Sequence, residues 1–226
     1  MQELTDSVYA LTQSIETDEG SRAFHPAAVE TERGLVLLDV GLPGQADTLA
    51  DELGAAGFDW SDVWAVVLTH QDGDHAGSLA TVVSETDAVV FAHETCARYV
   101  DGREDPIKGE GDDRYPPVPV DVELVDGERF RTNAGPMRVV FTPGHAPGHI
   151  SLYFPDAKVL VAADALTADE DGLQGPSEHF TLDMAEAAES VGVLATLDIE
   201  TVHCYHGGTV EADSERIAVI AESLGA

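Results

Sequence analysis

The chain has 226 residues, 43% of them hydrophobic, which suits one sizeable core better than two small ones. Its 43 Asp and Glu face only 11 Lys and Arg, a formal net charge of −32; this argues against a nucleic-acid substrate, because phosphate binding relies on Lys and Arg and on the counterions they release. The N-terminus lacks a signal-peptide pattern and no run reaches 18 apolar residues, so a cytoplasmic protein with no membrane partner is expected.

The acidic residues are spread along the whole chain rather than gathered in a tail. In dilute buffer such a surface repels itself, whereas molar salt shortens the Debye length to about 3 Å and screens it. A cytosol of very high ionic strength, as in a halophile, is therefore the expected setting. Cys96 and Cys204 lack CxxC spacing, which leaves no disulfide framework and no cysteine-rich zinc knuckle to argue for; both are expected to be buried, reduced thiols.

In chain order, short apolar runs at Val8–Leu11, Ala27–Glu30 and Leu35–Val40 read as strands separated by turn signals. Leu49, Leu53 and Ala56 have helical spacing within Asp47–Gly57, closed by a glycine. Val63–Leu68 reads as a buried strand, followed by a polar segment, a helix from Ser78, a strand at Ala88–Ala92 and a helix over Glu94–Val100. The stretch 101–119, rich in Gly, Pro and charge, reads as a loop inserted in a single domain spanning residues 1–226. Strands then follow at Met137–Phe141, Ile150–Phe154 and Val159–Ala162, a helix from Leu182 to Leu197, a strand at Thr201–Cys204 and a terminal helix. Strands precede helices in each half, which predicts an α/β protein of the αββα sandwich type, two sheets face to face with helices outside.

Chemistry concentrates at strand ends. His70-Gln-Asp72-Gly-Asp74-His75 places four metal-ligand side chains within six residues, directly after a strand and around a glycine. Thr142-Pro-Gly-His145-Ala-Pro-Gly-His149 is a turn whose prolines and glycines hold a histidine in place. Asp164 ends the apolar run Val161-Ala-Ala, where an unpaired carboxylate is costly unless exposed or bound to a cation. His206 follows the last strand in His203-Cys-Tyr-His206-Gly-Gly. Each of the last three is weak alone, but four strand ends offering His or Asp is what loops converging at one edge of a sandwich require. No G-x-S-x-G elbow, glycine-rich phosphate loop or dinucleotide fingerprint competes.

This order, H-x-[H/D]-x-D-H, then Pro-Gly-His, an Asp and a C-terminal His, resembles the metallo-β-lactamase superfamily over nearly the whole chain, from Leu35-Val-Leu-Leu-Asp-Val-Gly41 onward. The resemblance implies that His70, Asp72 and His145 form a first metal site and Asp74, His75 and His206 a second, with Asp164 bridging them and Asp74 also serving in catalysis. It implies two divalent cations, zinc first, and a hydrolase that directs a metal-bound hydroxide at an ester, thioester, lactone or similar small acyl substrate. Asp72 stands where most of the family has His; its harder oxygen makes the cluster less positive and favours iron or manganese. An iron-dependent oxidoreductase of the same fold, or a metal-binding module without turnover, are the alternatives. His149 is expected to support the turn or give a hydrogen bond behind the ligands, His203 to point away, His179 to lie in a loop without a role, and His25 and His93 to lie near strand ends, in a structural role or else facing the pocket.

Overall fold

The computed structural model describes residues 1–17, 20–108 and 114–225. The inserted loop predicted at 101–119 is irregular where it is described, and its residues 109–113 lie outside that range. Two sheets dominate. The first has seven strands, in the order Gln2–Thr5, Val8–Ala10, Ala27–Thr31, Gly34–Leu38, Val63–Leu68, Val89–His93 and Val122–Leu124. The second has six: Arg129–Thr132, Gly135–Phe141, Ile150–Phe154, Val159–Ala163, Thr201–Cys204 and Gly208–Glu211.

Period-two side-chain alternation builds the layers. Leu35 and Leu37 face the helices Ala46–Ala55 and Leu79–Thr86, while Val36 and Leu38 face the other sheet. Val66 and Leu68 divide from Ala65 and Val67 in the same way. In the second sheet Val159 and Val161 point inward, and Leu160 and Ala162 pack on the helices Met184–Leu194 and Ser214–Leu224. Three apolar layers result, and the arrangement is the expected αββα sandwich. No described helix is long and apolar enough to cross a membrane.

The main strands and helices lie close to their expected places. The helix expected from Leu182 starts instead at Met184, because the Asp183 side chain accepts hydrogen bonds from the N–H groups of Ala185 and Glu186 and so caps it there; it ends at Leu194 rather than Leu197. A two-stranded hairpin, Gln13–Thr17 with Gly20–Phe24, has no counterpart in the sequence reading, since its residues carry no apolar alternation.

Parallel pairing sets the direction of the strands that matter. Gly34–Leu38, Val63–Leu68 and Val89–His93 run parallel to one another, as do Val159–Ala163 and Thr201–Cys204. Their carboxyl ends carry the loops on which functional side chains converge.

Candidate metal centre

His70 follows the strand Val63–Leu68, Asp164 directly follows Val159–Ala163, and His206 follows Thr201–Cys204. His145 lies in the turn after Gly135–Phe141, and Asp74 and His75 lie in a short helix, Gly73–Ala76, that starts just after Asp72. Gly144, at φ +124°, lets this turn approach the helix Met184–Leu194: a Cβ there would lie 2.3 Å from the backbone nitrogen of Ala187. Asp183 N–H donates to the Gly144 carbonyl at 2.9 Å and Ser190 Oγ to that of Pro143 at 2.7 Å, so His145 is presented by a fixed turn.

All seven predicted residues meet. Asp72 Oδ2 lies 3.4 Å from His70 Nε2 and 3.1 Å from His145 Nε2. Asp74 Oδ2 lies 3.3 Å from His206 Nε2 and 3.9 Å from His75 Nε2. Asp164 reaches both groups: Oδ2 is 3.3 Å from His145 Nε2 and from His206 Nε2, and Oδ1 is 3.4 Å from His75 Nε2. One donor atom from each of His70, His145 and Asp164 falls within 4.8 Å of the others, and the same holds for Asp74, His75 and His206. His70, His75, His145 and Asp164 are buried, whereas the side chains of Asp74 and His206 are 26% and 37% exposed, so the second group opens to solvent.

These atoms fit divalent cations. His70 Nε2, His75 Nε2 and Asp164 Oδ1 are buried, face the cluster and have no hydrogen-bond partner. A buried polar atom left unpaired costs about 1–3 kcal/mol, which a cation accepting its lone pair removes. Imidazole nitrogen with carboxylate oxygen is a donor set suited to zinc, iron or manganese.

Charge is arranged to match. Burial would raise the carboxyl pKa of Asp72, but His70, His145 and Lys108 hold it far below the carboxylate range. Burial is likewise overridden at Asp74 and Asp164 by His75 and His206, which keep both ionised. Against burial, Asp164, Asp39 and Asp74 raise His75 well above its ordinary value, and hydrogen bonds to Asp164 and Asp74 push His206 up to about 9. Burial, then the neighbouring histidines, push His149 well below its ordinary value. A cation entering here must displace the protons of His75 and His206.

The cluster rests on an outer set of contacts. Asp39, 2% exposed, accepts from Thr69 N–H at 2.7 Å, from Thr69 Oγ1 at 2.7 Å and from His75 Nδ1 at 2.8 Å, which aims His75 Nε2 at Asp164. It adopts φ +64°, a left-handed conformation that is costly for most residues and that Asp tolerates. Tyr205 stacks on His75 with ring centroids 3.7 Å apart and donates its hydroxyl to the Asp74 carbonyl. His149 Nε2 accepts from Asp164 N–H, and its Nδ1 pairs with Thr142 Oγ1, so it supports the site from behind as expected.

Sequence reasoning gave no role to Asp39, Tyr205 or Lys108. For Asp39 a signal was present: an acid closing the apolar run Leu35-Val-Leu-Leu, the same feature that singled out Asp164. The other described histidines belong to neither donor group. His203 bonds Thr209 Oγ1 and the His25 carbonyl, His93 accepts from Thr95 N–H as a helix cap and stacks on Phe141, His25 lies beside Thr12, and His179 is exposed.

The chain is also similar to known proteins. The family model described as the metallo-beta-lactamase superfamily matches residues 27–206. The chain is 30% identical over 197 residues to a probable metallo-hydrolase, YflN, of Bacillus subtilis (strain 168), covering 76% of this chain and 75% of that one. It is 28% identical over 159 residues to a hydroxyacylglutathione hydrolase of Cereibacter sphaeroides (strain ATCC 17029 / ATH 2.4.9), covering 70% of this chain but only 52% of that enzyme. A metallo-beta-lactamase family protein from Thermus thermophilus superposes with a TM-score of 0.75 at 25% identity, over 99% of this chain and 79% of the other. A metallo-beta-lactamase from Pontibacter korlensis shares the fold at 18% identity, with a TM-score of 0.77 over 99% of this chain and 97% of that one.

Proposed function

Because the chain belongs to the metallo-β-lactamase superfamily, we propose that it is a metal-dependent hydrolase of a small acyl substrate, an ester, thioester or lactone. The observation that carries this reading is the pair of donor groups, His70 with His145 and Asp164 and Asp74 with His75 and His206, which Asp164 links, with buried polar atoms aimed into them. His70, Asp72 and His145 would hold one cation, Asp74, His75 and His206 a second, and Asp164 would serve both. When bound, two such cations polarise an acyl carbonyl and lower the pKa of water towards neutrality.

The chain's own residues do the rest. Asp39 and Tyr205 fix the His75 ring, and His149 fixes Asp164 through its backbone N–H, so the donors are preorganised before substrate arrives. Asp74 turns Oδ2 towards His206 and keeps a second carboxylate oxygen; being ionised and partly exposed, it takes the proton of the attacking water. Leu182, 50% exposed, adjoins the site through the hydrogen bond from its N–H to the His145 carbonyl and offers apolar surface for an acyl group. Similarity to hydroxyacylglutathione hydrolases supports a thioester as the first substrate to test.

Asp72 favours a second reading of the metal. Its carboxylate beside His70 and His145 adds a hard oxygen that suits iron or manganese. The acidic surface supports residence in a cytosol of high ionic strength. A panel of acyl substrates assayed before and after chelation tests the function: turnover is abolished by the chelator and restored by Zn²⁺, Mn²⁺ or Fe²⁺. Chelator-resistant hydrolysis overturns it, and oxygen consumption with a thiol in place of hydrolysis favours the oxidoreductase.

A further inference from the structure

Two lysines occur in 226 residues, and they occupy opposite environments. Lys158 is partly exposed and pairs with Asp198 and Glu200 at 3.2 and 2.8 Å. Lys108 enters the candidate metal centre from the inserted loop: its Nζ lies 2.6 Å from Asp72 Oδ2 and 2.8 Å from His145 Nε2. Asp72 Oδ2 is the same atom that approaches His70 Nε2 and His145 Nε2, so an ammonium stands where the first donor group converges.

Described residues to either side of Lys108 are anchored. Tyr115 is buried and donates its hydroxyl to the Gln71 carbonyl at 2.8 Å, between His70 and Asp72. Arg114 bonds the Tyr99 carbonyl, and Glu104 N–H bonds that of Arg98. Glu104 before Lys108, and Arg114 and Tyr115 after it, are thus tied to the body of the protein. In a chain with a net charge of −32, a lone ammonium placed on a nine-tenths buried carboxylate is a specific pairing.

A lone pair engaged by an N–H is not available to a metal, and an ammonium beside a divalent cation is repelled by it. We infer that Lys108 is a built-in competitor for the first cation position, so that the second group, Asp74, His75 and His206, loads first and the first group fills only as Lys108 withdraws. The inference rests on the metal reading above. It makes the two positions unequal by design.

Two lysines make the test direct. The wild-type protein is stripped with chelator, titrated with Zn²⁺, and acylated at each step with an amine-reactive ester, with the extent at Lys108 and Lys158 read by mass spectrometry. Lys108 labelling should stay low through the first equivalent and rise several-fold with the second, while Lys158 stays constant. In Lys108→Met, competition with a chromophoric chelator should show first-site affinity tightened roughly ten- to hundredfold, the worth of a charge-assisted hydrogen bond, with second-site affinity unchanged. Lys108→Gln, of different polarity, should behave alike, and melts in chelator check that both variants fold. Unchanged or weakened first-site affinity in both variants, or Lys108 labelling that ignores metal, overturns the inference. Failure of wild type and both variants to bind any divalent metal removes the metal reading itself.

Discussion

Replacing Asp39 with Asn alters one atom behind the candidate metal centre. Asn tolerates the φ of +64° and keeps an oxygen for Thr69 N–H, which is now 2.7 Å from Asp39 Oδ1. The amide nitrogen, however, takes the place of the oxygen 2.8 Å from His75 Nδ1 and presents a hydrogen to it. In the neutral ring that a cation needs, Nδ1 must then accept, and the one remaining proton sits on Nε2, the atom that faces Asp164 Oδ1 at 3.4 Å. A protonated Nε2 has no lone pair to give. Second-site metal affinity should fall roughly 10–100-fold, about 1.4–2.7 kcal/mol. Fold stability should fall by a similar amount, because two strong hydrogen bonds from Thr69 weaken by about 1–3 kcal/mol in all, or roughly 2–12 °C in Tm for a chain of this length. Metal content after dialysis against buffered Zn²⁺, with melts in chelator, separates the two effects. Wild-type metal affinity alongside a lowered Tm would refute the orienting role and leave Asp39 a purely structural residue.

The remaining predictions test other parts of the molecule. Asp72→Ala should lower metal content towards one ion per chain, and Asp72→His should restore two and shift selectivity towards zinc; two fully occupied sites in Asp72→Ala, measured by mass spectrometry, would exclude Asp72 as a ligand. Burial lowers the pKa of His203 from 6.5 to about 4, so the unfolded chain binds the extra proton between these values. That contribution is complete above about pH 6.5 and is lost as pH falls to 4, by about 3 kcal/mol. Denaturant titrations of wild type and His203→Gln at pH 7, 5.5 and 4 should show a steeper acid loss in wild type, and parallel losses would contradict the assignment. Finally, a net charge of −32 should make Tm rise between dilute buffer and molar KCl, and equal melting temperatures would mean that screening does not matter to this fold.

Much of the architecture was legible because it is written in local periods. Leu35 to Leu38 and Val159 to Ala162 alternate between layers by strand geometry alone, which is why two sheets with helices outside followed from the apolar runs. His70, Asp72, Asp74 and His75 were legible for the same reason: six residues span them, and a turn after a strand can aim them at one point. His145, Asp164 and His206 were legible only as strand-end residues, and their convergence on that point needed parallel pairing across both sheets. The hairpin Gln13–Thr17 with Gly20–Phe24 escaped, since backbone pairing rather than an apolar pattern holds it. Tertiary structure alone decided the contacts behind and above the site. Asp39 reaches His75 across 36 positions and Lys108 reaches Asp72 across another 36, and no local period connects residues so far apart; their meeting depends on how the strands register and where the inserted loop is tied down.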